Sequence, residues 1–79
     1  MNIINSMRIG ENISVQIDDN GVNLRNGEYI ADENGKQFKI VSIAMVNNKK
    51  RIADSNAELL LSGDIENIGE KLYIIKERM

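Results

Sequence analysis

The chain is predicted to fold as an all-β protein, a closed or nearly closed barrel of about six mostly antiparallel strands. Two observations predict it. Asn-Gly occurs three times in the first half, at Asn20-Gly21, Asn26-Gly27 and Asn34-Gly35, and the runs between such turn signals are of strand length, with apolar residues at alternate positions. Asn-Gly marks hairpins because both residues tolerate the positive φ that turn types matching strand twist require.

From Met7 the apolar residues fall at Ile9, Ile13, Val15 and Ile17, which is one face of a strand of period two, and this strand ends at Asp18-Asp19-Asn20-Gly21. Val22 and Leu24 form a short second element before Arg25-Asn26-Gly27 turns the chain again. Glu28-Tyr29-Ile30-Ala31 begins a third strand that Asp32-Glu33-Asn34-Gly35 closes. The fourth and longest carries Phe38 and Ile40 towards one side and Val41, Ile43 and Met45 towards the other, the pattern of a central strand with a bulge near Val41. Asn47-Asn48-Lys49-Lys50-Arg51 follows as an exposed polar loop.

Residues 52 to 61 are ambiguous: Ile52, Leu59 and Leu60 line up as a helix face, whereas Ala57, Leu59 and Leu61 alternate as a strand. Asp54-Ser55-Asn56 is turn chemistry that competes with helix interiors, and Gly63 ends the run before helical length, which favours the strand. Residues 64 to 69 read as a compact connection of one 3₁₀ turn, and Leu72-Tyr73-Ile74-Ile75 as the closing strand.

The whole chain is one domain, 1–79, with the barrel proper at about 7–76, and a domain of this size buries only roughly 60 to 65% of its unfolded surface. Its composition, 42% hydrophobic and 28% charged, is too apolar and too evenly charged for a disordered tail. Cysteine is absent, which excludes disulfides, thiolate nucleophiles and Cys-based metal sites and points to a reducing cytoplasm. No apolar run approaches the roughly 18 to 20 residues of a membrane helix, so no membrane association is expected. A net charge of −2 and a pI near 5.0 give no long-range attraction to phosphate backbones, so RNA contact requires a local patch.

Several motifs taken in order resemble the second-domain β-barrel of the translational GTPases, elongation factor Tu and its relatives. They are Leu24, Gly27-Glu28 with Ile30, Gly35-Lys36 with Phe38, Ile40 and Ser42-Ile43, Ala53-Asp54-Ser55-Asn56-Ala57 leading into Leu59-Leu60-Leu61-Ser62-Gly63, and Ile68-Gly69-Glu70 with Leu72. The resemblance spans residues 13 to 75. It implies a barrel used as an accessory module, and in that family the barrel contacts ribosomal RNA or the aminoacyl end of tRNA. Asp54 stands where the family usually has glycine, a replacement that a left-handed turn position tolerates. No Gly-rich phosphate loop ending in Lys-Ser or Lys-Thr is present, so GTP binding is not expected.

Gly27 and Gly69 each precede an acidic residue and a strand, as at barrel corners whose backbone conformation is closed to residues with a Cβ. The carboxylate pairs Asp18-Asp19 and Asp32-Glu33 stand immediately before Asn-Gly, where they satisfy turn amides rather than hold a metal. With no histidine or cysteine and no marked nucleophile, neither an enzyme nor a cofactor is predicted. Tyr29 and Tyr73 are expected to be half-buried strand tyrosines with their hydroxyls in water, the alternative being that they stack on a base or a partner. Lys49, Lys50 and Arg51, with Lys36 and Lys39, concentrate half of the ten basic residues and are the candidate partner or RNA contacts. The alternative is that these lysines blunt an edge strand against aggregation. The leading expectation is a non-catalytic module that binds a protein, and the alternative is an RNA-contacting relative of translation factors.

Overall fold

The computed structural model describes residues 1–46 and 56–75. It forms one antiparallel sheet of six strands: β1 Ile3–Ile9, β2 Asn12–Ile17, β3 Tyr29–Asp32, β4 Gln37–Val46, β5 Asn56–Ser62 and β6 Leu72–Ile74, in the spatial order β1-β2-β5-β4-β3-β6. The one helical element among the described residues is a 3₁₀ turn, Ile65–Asn67. The all-β prediction, the strand reading of residues 57 to 61 and the 3₁₀ connection therefore agree with the structure. The polar loop at residues 47 to 51 lies outside the described residues.

Two predicted elements are corrected. The strand expected to run from Ile9 to Ile17 is broken at Gly10 and Glu11 by a two-residue hairpin that pairs Ile9 with Asn12. Gly10 has φ +60° and Glu11 has no positive φ, the signature of a type II′ turn with glycine in its first central position. The pairing puts Ile9 opposite Asn12 on the outer face, 50% exposed, instead of beside Ile13 in the core. The second predicted element, Val22 and Leu24, is a turn rather than a strand: Leu24 N–H donates to the Gly21 carbonyl at 3.0 Å. Leu24 is buried as a plug and Val22 is exposed.

Only one of the three Asn-Gly dipeptides joins paired strands. Gly35, at φ +84°, closes the β3–β4 hairpin, where its N–H donates to the Asp32 carbonyl at 3.0 Å and Asp32 N–H donates to the Lys36 carbonyl at 2.9 Å. Gly27, at φ +89°, sits third in a turn closed by Glu28 N–H to the Arg25 carbonyl, a type II geometry. Each asparagine keeps negative φ, so none of the three is the type I′ hairpin that the dipeptide most strongly suggests.

The predicted bulge is present: the β4–β5 register shifts between Ile40 and Ser42. Its consequence differs from the expectation. Ile40 pairs with Leu61 and Ile43 with Leu59, so the extra residue brings Ile40 and Ile43, which differ in phase, to the core side of β5, while Val41 stays 42% exposed. On β2 the alternation is regular, with Ile13, Val15 and Ile17 buried between half-buried Asn12, Ser14 and Gln16. Ile13 pairs with Leu61, which pairs in turn with Ile40, so one rung of branched side chains crosses three strands. Around it lie Phe38, Leu59, Ile30 and Leu72, all fully buried.

The edge strands β1 and β6 meet at one corner. Ile3 N–H donates to the Glu70 carbonyl at 2.9 Å, Leu72 N–H to the Met1 carbonyl at 2.8 Å, and Asn2 bridges Lys71. No ladder continues from this corner among the described residues, and the sheet is not closed.

Candidate functional site

Strand parity decides what β3 and β6 offer to solvent. Ile30 and Asp32 point inward and are buried, which leaves Tyr29 and Ala31 on the outer face. Ala31 pairs with Tyr73 on one side and with Gln37 on the other; Tyr29 pairs with Lys39, which pairs with Ser62. Tyr29 and Tyr73, the only tyrosines in the chain, thus lie diagonally on adjacent strands of one face, a spacing of about 7 to 8 Å, each half exposed. Lys39 stands exposed across from Tyr29. The sequence names these residues separately; their common face follows from the β3–β6 register, which no local pattern encodes.

The five basic candidates fare differently. Lys39 belongs to this outer face. Lys36 donates from Nζ to Asp64 Oδ2 at 2.7 Å, and this ion pair holds the Asp64 carboxyl below its ordinary range, with help from the Asn67 amide. Lys49, Lys50 and Arg51 lie outside the described residues.

One member of each carboxylate pair, Asp19 and Asp32, satisfies turn amides as predicted, whereas Asp18 and Glu33 reach backbone amides outside their own turns. Asp32, only 3% exposed, accepts from the Asn34 and Lys36 N–H groups on Oδ1 and from Gly69 N–H on Oδ2, each at 3.0 Å. Glu33 accepts from Glu70 N–H at 3.1 Å and Lys71 N–H at 3.0 Å. Together they fasten the β3–β4 turn to the segment that enters β6. Asp18 accepts from the backbone N–H of Asn2 at 2.7 Å, and Asp19 from Gly21 N–H at 2.8 Å.

Gly69 needs a different explanation from the one predicted. Its φ is not in the positive range. The constraint is proximity, because a Cβ there would overlap the Glu33 carboxylate. Gly69→Ala is therefore expected to lower the melting temperature of the wild-type protein by forcing Glu33 off the Glu70 and Lys71 amides. In a Glu33→Ala background the same change should be neutral or stabilising, because alanine restricts the unfolded chain. Equal effects in both backgrounds would show that the overlap is relieved without moving Glu33.

The lowered carboxyls also set an acid limit. Glu33 is held below its ordinary 4.5 first by the Lys71 amide, Asp18 below 3.8 by the Asn2 amide, and Asp64 by Lys36. In each case the unfolded state takes up protons first as pH falls. The stabilisation is thus present above the ordinary value and lost as pH drops through the folded value. Urea midpoints are expected to fall from about pH 5 downward, and less steeply in Glu33→Gln. A curve for that variant parallel to wild type would remove Glu33 from the account.

Among the described residues no group of three or more potential metal ligands is gathered, and no helix is long and apolar enough to cross a membrane. Two shallow grooves flank β1. One, of about 530 Å³, runs between residues 2–6 and 69–71; the other, of about 310 Å³, lies on the outer face over Met7, Ser14 and Glu58. Comparison with protein families, with curated proteins and with solved structures finds no match to this chain.

Proposed function

We propose that this chain is a non-catalytic binding module that docks a protein partner on the outer face of β3, β4 and β6. The observation that carries this reading is the diagonal pair of half-exposed tyrosines, Tyr29 and Tyr73. Tyrosine is enriched in interface cores because its rigid ring offers contact area with little loss of rotamer freedom, while its hydroxyl finds a polar partner. In architecture we place the module with nearly closed β-barrels of the type that forms the second domain of translational GTPases, without the GTPase. Support for that placement comes from the six antiparallel strands and from the corner that ties residues 1–3 to 70–72.

A photo-reactive phenylalanine analogue at position 73, in cells of the source organism, tests the reading. A discrete adduct that resists nuclease and forms equally at high salt is the expected result. Absence of any adduct at positions 73 and 29 overturns it.

Lys39 opposite Tyr29 favours a second reading, a single-stranded RNA laid on an aromatic and basic face. In that case tRNA at low salt shifts the amides around Lys36 and Lys39 and binding falls steeply with added salt. Alanine at Lys49, Lys50 and Arg51 together then weakens it.

A further inference from the structure

Asn-Gly is also the dipeptide most prone to lose its side-chain ammonia, because the glycine nitrogen meets no side chain on its way to the asparagine Cγ. Attack requires the glycine N–H to give up its proton, so the acceptor of that N–H sets the three sites of this chain apart. Gly27 N–H donates to the Ile40 carbonyl at 2.7 Å, next to the bond of 2.8 Å from Ile40 N–H to the Glu28 carbonyl, and Gly35 N–H donates to the Asp32 carbonyl at 3.0 Å. A peptide carbonyl holds the hydrogen without taking the proton. Gly21 N–H donates instead to a carboxylate oxygen, Asp19 Oδ2, at 2.8 Å. At the other reactant, the Asn20 side-chain oxygen accepts from Val22 N–H at 3.1 Å, a donor aimed at the atom on which negative charge grows during attack.

We propose that Asn20 is a site of self-modification, at which Asp19 is the base that converts Asn20 to aspartate and isoaspartate. This property is independent of the tyrosine face. Asp19 Oδ2 takes the Gly21 proton as the bond from Gly21 N to Asn20 Cγ forms, while Val22 N–H holds the oxyanion. The proton passes from Asp19 to Asn20 Nδ2, the Cγ–Nδ2 bond breaks, and ammonia leaves behind a five-membered imide. Water then opens the imide. Addition at Cγ gives aspartate with the original backbone; addition at the main-chain carbonyl carbon gives isoaspartate, whose backbone runs through Cβ and is one carbon longer. One water enters, one ammonia leaves, and nothing is oxidised or reduced.

The fold gives the longer product a consequence. The Asp19 carbonyl accepts from Ala57 N–H at 2.8 Å and the Gly21 carbonyl from Leu24 N–H at 3.0 Å, so position 20 lies between two anchors. Gly21 is itself tight against β5, since a Cβ there would lie 2.8 Å from Ala57 Cβ. An added backbone carbon between these anchors loosens the turn that buries Leu24.

The folded chain, held at neutral pH and then digested, is read by peptide mass mapping and by isoaspartyl methylation. The Asn20 peptide is expected to convert several times faster than those containing Asn26 and Asn34. In concentrated urea the three should convert at similar rates, since all three glycines then meet only solvent. Asp19→Ser keeps an oxygen that accepts from the amide two residues on but removes the base. Its folded form should convert Asn20 no faster than Asn26 and Asn34, with the rate in urea unchanged. A folded wild-type chain in which Asn20 is no faster than the other two overturns the proposal, and that comparison depends on no variant. So does a folded Asp19→Ser protein that converts Asn20 at the wild-type rate.

Discussion

Phe38→Ala is expected to lower the unfolding free energy by about 3 to 5 kcal/mol, the usual loss when a buried aromatic ring leaves a cavity. Phe38 is the only phenylalanine, fully buried, and sits on β4 opposite Ile30, itself fully buried on β3. Its ring also roofs the end of β5: a Cβ built on Gly63 would lie 3.2 Å from Phe38 Cδ1. No neighbouring side chain at that glycine is available to collapse into the space. Small domains stand only about 5 to 15 kcal/mol above their unfolded states, so the variant should be partly unfolded at moderate temperature. Phe38→Leu, which keeps most of the volume, should lose less than about 1.5 kcal/mol. Urea unfolding of the three proteins checks this, and a loss under about 1 kcal/mol for the alanine variant would mean that the ring does not seal the core as described.

Asp32→Ala is expected to destabilise by about 3 kcal/mol, because it strips the partner from three amides at once inside a nearly closed environment. The affected donors are Asn34, Lys36 and Gly69. Asp32→Asn discriminates among them. Its amide oxygen can still accept from Asn34 and Lys36, but its NH₂ group meets the Gly69 N–H donor to donor. Roughly half of the loss should therefore return, with amide exchange at Gly69 remaining fast while Asn34 and Lys36 regain protection. If both variants melt with wild type, the hairpin turn and the entry to β6 are held together by other contacts, and Asp32 is only a local turn residue.

Local chemistry in the sequence determined a good deal by itself. The alternation of Ile13, Val15 and Ile17 was sufficient to orient β2, and Ala57, Leu59 and Leu61 did the same for β5, because side-chain parity in a strand is fixed by covalent geometry. The bulge along β4 was legible from its two apolar phases, but that Ile40 and Ile43 both reach one core through it was not. The turn role of Asp32 was also legible, from its place before Asn34-Gly35; that Glu33 would instead reach the amides of residues 70 and 71 was not.

Counting strands succeeded while their identities did not. One predicted strand proved to be a hairpin, β1 and β2, and another proved to be the turn that buries Leu24. The signal for the first was present in Gly10, whose Gly-X turn is weaker than Asn-Gly because glycine serves many other backbone purposes. For the second, a stretch as short as Val22 to Leu24 has no ladder energy of its own, so whether it pairs depends on a neighbour supplied from elsewhere in the chain.

What only the tertiary structure decided is which strands are neighbours. The β3–β6 pairing joins residues about forty positions apart in sequence; it alone brings Tyr29 and Tyr73 to one face and carries the Asp32 and Glu33 carboxylates onto the amides at residues 69 to 71. It also decides that β1 is an edge. Pairing partners are chosen by the burial of all the strands together, a global minimum to which each residue contributes only its preference for one face. For that reason the sequence alone was enough to say which residues of β2 and β5 face inward, and not which outward residues would stand side by side.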